Sequence, residues 1–288
     1  MQMPTTRAGI QPRTIPITRS LHLLLTNSAT LPESAPSAAI ASHPLAFSPG
    51  GTDELPEGPN GFDVLEDGRL LITDPLRLRI SVFDPRGAFL QSWPIGFAAD
   101  SITAGAEDTV LIREAKTGSF YKFNREGKQL AGPTFEPPAP PLARLLDPKH
   151  ATLARPCGAP LSIAPGTSDT SLLSLEYLDT GPSCVTFVAL ESSVRATTAD
   201  AIDVRKSVRR YSADGHLLSE TSDLPLDYYI LPVNELRVHH GIVYQLRTTR
   251  TEVSINEWDM NESALLSMFS AEVLRCTSPS PYCSRPLH

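Results

Sequence analysis

No apolar run in this chain approaches the roughly 18 residues that a membrane-spanning helix needs. The longest are Leu23-Leu24-Leu25 and Val185 to Leu190, and Thr186 breaks the second. Positive charge is also scarce: Lys+Arg 25 against Asp+Glu 32 leaves a net charge of -7. That balance argues against nucleic acid as a partner, because phosphate neutralisation needs clustered cations. No C-x-x-C occurs, which removes support for zinc knuckles and thioredoxin-like chemistry. No G-x-S-x-G, H-E-x-x-H, G-x-G-x-x-G, P-loop or EF-hand pattern is present either.

Proline, in contrast, is plentiful. At 27 of 288 residues it is about twice the usual share, and long helices and coiled coils are disfavoured. With 41% hydrophobic residues over 288 positions, the chain can bury a sizeable core. The first 32 residues carry Arg7, Arg13 and Arg19 and no acid, followed by a short apolar stretch and an Ala/Ser-rich segment. This loosely resembles an export signal, although the apolar part is short and His22 interrupts it. Four cysteines, Cys157, Cys184, Cys276 and Cys283, permit two disulfides in three connectivities. An extracytoplasmic location is the expectation.

The strongest signal is an internal repeat. Phe62 and Ile102 lie 40 apart, as do Leu71 and Leu111, Ile72 and Ile112, Phe83 and Phe123, Gly87 and Gly127, and Leu90 and Leu130. A period near 40 marks a stacked or radial architecture. Each unit reads as short strands. Arg79-Ile80-Ser81-Val82-Phe83 alternates polar and apolar. A turn follows, Asp84-Pro85-Arg86-Gly87, repeated as Asn124-Arg125-Glu126-Gly127 and as Ser212-Ala213-Asp214-Gly215. Four strands per 40 residues predict an all-β propeller. Six blades are expected, with five as the alternative, and strands from the N-terminal segment (Thr14–Thr18, Leu21–Thr26) close the last blade. The Pro-rich region 134–170 predicts a degenerate, loop-rich blade. The expected organisation is a leader over 1–50, a propeller over 51–260, and a short helix with a cysteine-containing tail over 261–288.

The stretch Gly58-Pro59-Asn60-Gly61-Phe62-Asp63-Val64, then Asp67-Gly68, Ile72-Thr73-Asp74 and Arg79 to Asp84, resembles the NHL repeat of the TolB-like six-bladed propellers. The resemblance implies pairing of Asp74 with Arg79 inside the blade. The second unit departs from it, with Glu114 and Ser119 at those positions, so that blade must be held otherwise. Fold resemblance of this kind is nearly silent on function.

Candidate functional residues fall in three groups. Asn60, Asp100 and Asn234 each precede the inner strand of a blade by two residues, which puts carboxylate and amide oxygens around one mouth of the channel. Such oxygens suit calcium, and the six-bladed relatives resembling lactonases would use it for hydrolysis. Tyr228 and Tyr229 precede a later inner strand and Trp93 links two blades, so these aromatics offer a face for a protein or glycan. His239-His240, read as neighbours in one strand, point to opposite faces and do not chelate one metal together. The basic residues Arg205-Lys206 and Arg209-Arg210 read as a solvated outer edge. The leading expectation is a non-catalytic, monomeric recognition platform without a cofactor. The alternative is the calcium-dependent hydrolase.

Overall fold

The computed structural model describes residues 12–23, 25–27, 45–105, 108–135, 143–165, 170–195, 202–221 and 224–261. The expected C-terminal helix, Cys276, Cys283 and most of the leader lie outside these residues. Among the described residues the secondary structure is strand, apart from two single 3-10 turns at Pro75–Arg77 and Pro182–Cys184.

The N-terminal segment supplies β1 (Arg13–Ile15), β2 (Arg19–Leu23) and β3 (Leu25–Asn27), and β3 pairs in parallel with β4 (Leu45–Phe47). The first sheet is an antiparallel meander of β5 (Phe62–Val64), β6 (Leu70–Asp74), β7 (Arg79–Phe83) and β8 (Phe89–Pro94). The second repeats it with β9 (Ala99–Ala104), β10 (Thr109–Glu114), β11 (Phe120–Asn124) and β12 (Gln129–Thr134). The proline-rich region yields a reduced sheet of β13 (Ala143–Asp147), β14 (His150–Leu153) and β15 (Leu161–Ile163). The next sheet is β16 (Thr170–Thr180), β17 (Thr186–Arg195), β18 (Ile202–Tyr211) and β19 (Leu217–Thr221), with β1 added in parallel to β19. The last is β20 (Leu236–His239), β21 (Ile242–Thr248) and β22 (Val253–Asp259), completed by β2.

The packing of these sheets makes the fold a β-propeller. Each apolar cluster lies between the faces of two sheets. Ile80, Trp93, Ile102 and Ile112 join the first to the second. Leu153, Leu161, Leu172 and Val188 join the third to the fourth, and Phe187, Val208, Val243 and Trp258 join the fourth to the last. The ring then closes: Leu246, Val253 and Ile255 of the last sheet pack with Phe62, Leu70 and Phe83 of the first. The N-terminal strand does close the last sheet, through β2, with Leu21 facing Ile255 and Arg19 facing Glu257. Arg19 seals this seam by donating to the Glu257 carboxylate at 2.5 and 2.8 Å. The earlier piece takes a different place, since β1 extends the fourth sheet.

The repeated turns work as their residues dictate. The Asp84 carboxylate accepts from the Arg86 and Ala88 amides at 2.8 Å, and Asn124 accepts likewise from Glu126 and Lys128. Gly127 has φ +83, and a Cβ there would come within 2.2 Å of the Trp93 indole, so glycine is required twice over. Asp74 does accept from Arg79 Nε, at 2.9 Å and fully buried. In the second sheet, where that pair is missing, Glu114 holds the corner by accepting from Thr117 and Tyr121.

One disulfide, Cys157–Cys184, ties the loop after β14 to the turn after β16 with a Cα separation of 5.8 Å. Two of the basic residues of β18, Lys206 and Arg209, are a correction, while Arg205 is exposed as expected. Those two sit in the interior of a five-stranded sheet and not at an outer edge. Lys206 and Arg209 are buried because carboxylates and carbonyls receive them: Glu191 and Glu235 for the first, Glu220 and the Ala164 carbonyl for the second.

Candidate functional site

The inner strands β5, β9, β16 and β20 surround a cavity of about 1030 Å³. Strand alternation decides what faces it. Phe62 and Val64 turn into the apolar seam, while Asp63 between them lines the cavity. Thr103, 40 residues on, does the same, and Arg237 follows the rule on β20, next to the buried Leu236.

Asp63 and Arg237 form the central contact. Arg237 Nε lies 3.4 Å from Asp63 Oδ2, a charge pair outside good hydrogen-bond alignment. The other guanidinium nitrogens donate to the Ile102 carbonyl at 2.8 Å and the Leu236 carbonyl at 3.1 Å. One side chain from the last sheet thereby reaches the first and the second. Asp63 also accepts from the Val64 and Ala104 amides, each at 2.7 Å. Burial pushes its carboxyl up from the ordinary aspartate value, and Arg237 with the two amides works against that rise.

Across the cavity, Glu176 and Asp179 of β16 are also pushed up, in both cases chiefly by burial. Behind Glu176 is a polar network. Lys206 Nζ donates to Glu235 at 2.5 Å and to Glu191 at 3.2 Å. Burial works against this ammonium, but the two carboxylates outweigh it and hold its pKa above the ordinary lysine value. Gln245 donates to Glu235 at 2.9 Å and to the Tyr228 hydroxyl at 2.6 Å.

The residues singled out from the sequence meet different fates. Asn60, Asp100 and Asn234 do stand at the starting end of the inner strands, but their oxygens are taken. Both Asp100 oxygens accept from Arg113, at 2.7 and 2.8 Å. Asn60 Oδ1 accepts from Thr73 at 3.0 Å, and Asn234 Oδ1 accepts from Ser101. Of the three, Asn234 lines the cavity. As a first coordination shell they do not fit calcium, which needs six or more free oxygens.

Trp93 is 2% exposed, in the seam between the first two sheets, and so offers no binding face. Tyr228 is part of the Glu235 network, which holds its hydroxyl inward and pushes its pKa up, mainly through burial. Tyr229 is the residue of the three that reaches the surface loops. Its ring lies 5.7 Å from that of Phe47 and 4.7 Å below the Arg250 guanidinium, and its hydroxyl donates to the Pro49 carbonyl at 2.9 Å. The segments 48–57 and 225–233 are joined by the Tyr229–Pro49 bond, and the Val233 amide donates to the Asn60 carbonyl just beyond the first of them. Together they expose Leu55 (89%), Leu231 (74%) and Val233.

His239 and His240 are a second correction. His239 ends β20, but His240 has φ +48 and Gly241 φ +76, the turn geometry of a tight two-residue hairpin. Leaving the strand swings the second ring back, and the two ring centroids are 4.0 Å apart.

Asp63, Arg237, Glu176 and Glu66 are not among the residues singled out from the sequence. For the first two the signal was present as the polar member of an alternating inner strand.

No family model matches the chain, and no curated protein matches it. Among solved structures, it is similar to a member of the DUF4221 family from Bacteroides vulgatus, with 6% identity, 84% of this chain and 96% of that chain covered, and a TM-score of 0.29. It is similar to a streptogramin B lyase structure at 10% identity, covering 69% and 93%, with a TM-score of 0.35. Kluyveromyces lactis Hsv2 gives 10% identity, 72% and 75% coverage, and a TM-score of 0.32. The assignment as a β-propeller rests on the chain's own sheets and the seams between them.

Proposed function

We propose that this protein is a non-catalytic recognition platform that binds a protein partner through the loops at the starting end of its inner strands. The observation that carries this is the joined pair of loops 48–57 and 225–233. They expose Leu55, Leu231 and Val233 beside the half-buried Tyr229 and its stacked Arg250. Apolar side chains flanked by aromatic and arginine anchors are the composition of protein-binding centres. A rigid, closed ring beneath them keeps the loops organised before binding, which lowers the entropic cost of association. The 40-residue repeat and the Asp74–Arg79 pair support placing the chain among NHL-type, TolB-like propellers. The Cys157–Cys184 disulfide supports an extracytoplasmic location, where such bonds persist.

The test is affinity capture with the intact protein as bait, wild type beside Leu55→Glu/Leu231→Glu. A control pair, Leu90→Glu/Leu130→Glu, changes exposed residues of β8 and β12. The expected result is a protein retained by wild type and control and lost from the loop variant. Equal retention by all three baits overturns the reading. Release of the partner by free oligosaccharide would transfer the loops to glycan recognition.

A further inference from the structure

We propose that Glu66, His239 and His240 form a binding site for a divalent transition metal, zinc first, at the far end of the channel from the exposed loops. One donor atom from each residue lies within 4.8 Å of the other two. They come from two sheets: Glu66 follows β5 in the first, while His239 ends β20 in the last and His240 begins the turn after it.

Two observations point to a metal beyond mere proximity. First, the turn aims the second ring. His240 occupies a left-handed position, φ +48, where side chains other than glycine, asparagine and aspartate are uncommon. Its Nε2 sits 3.0 Å from a Glu66 carboxylate oxygen. Second, His239 Nε2 is buried and has no hydrogen-bond partner. A buried ring nitrogen left unpaired is unfavourable, and a bound ion would satisfy it.

Two imidazoles and a carboxylate select a borderline cation such as zinc over calcium, which prefers oxygen throughout. Glu66 and His239 line the cavity, so the ion has an entry path. Three protein donors leave one position of a tetrahedral ion for water or for a ligand in the channel. The sequence alone hides this site, because strand alternation separates the two rings and only the turn reunites them.

The untagged full-length chain, stripped with a chelator, is titrated with zinc chloride by calorimetry and with cobalt chloride by absorbance. One equivalent of each is expected, with cobalt visible bands of a nitrogen-and-oxygen site. Glu66→Gln and His240→Asn should each weaken zinc by about tenfold or more. Both side chains are exposed, 80% and 61%, and asparagine accepts the left-handed backbone, so neither change threatens the fold. Calcium at the same concentration should give no heat. A chain that does not saturate with zinc overturns the proposal, and so does zinc bound as tightly by either variant as by the wild type.

Discussion

The Arg237 guanidinium of the last sheet stands 3.4 Å from the Asp63 carboxylate of the first and donates to the Ile102 carbonyl of the second at 2.8 Å. The channel is thus crossed by one charged side chain that holds three sheets at their inner edges. Arg237→Met leaves Asp63 buried without its counter-charge and should destabilise the fold by roughly 3 kcal/mol. Urea unfolding measures it, and a wild-type midpoint would show that the pair is idle.

Closure of the ring depends on residues far from the repeats. Leu23 of β2 is buried between the last and first sheets. Leu23→Ala should cost about 2–3 kcal/mol as a cavity forms. Removing residues 1–23 exposes the edge of β22, and an open edge invites pairing between chains. Light scattering should then detect oligomers, whereas a monomeric truncated chain would contradict this role of β2.

Cys157 and Cys184 close a loop across a sequence separation of 27. Restricting the unfolded chain in this way is worth about 3–4 kcal/mol by loop-closure entropy. Cys157→Ser/Cys184→Ser, compared with the oxidised wild type in guanidinium, should lose stability on that scale. Identical curves would show that the bond adds nothing.

Glu176 is exposed to the channel, and partial desolvation by the surrounding protein outweighs the attraction of Lys206 and Arg237 in raising its pKa. A carboxyl whose folded value exceeds its unfolded value opposes folding when ionised. That opposition is complete above the raised value and gone below the ordinary glutamate value of 4.5. Glu176→Gln should therefore be more stable than wild type at pH 7, with the advantage closing as pH falls through that window. An advantage over wild type no larger at pH 7 than at pH 4 would show that Glu176 ionises freely in the folded chain.

Much of the architecture was legible in the residues themselves. The spacing of 40 between Phe62 and Ile102 and between Phe83 and Phe123, and the glycine turns after each third strand, are local features, and local features persist in any correct fold. Asp74 with Arg79 was legible for the same reason, since the two face each other across one hairpin. The candidate site was another matter. Asp100 looked available for a cation, and only the neighbouring strand supplies the Arg113 that occupies it. Trp93 looked like a surface aromatic until Gly127 of the next sheet closed over it. Lys206 and Arg209 looked solvated because the carboxylates that admit them to the interior come from other strands. Residue type and period determine which strands form and which face of each is apolar. Which polar groups meet depends on strand pairing within each sheet, as for Asp100 with Arg113 and Arg209 with Glu220, and on how the sheets pack, as for Lys206 with Glu235. Asp63 with Arg237, and Glu66 with His239 and His240, exist only once the last sheet packs against the first.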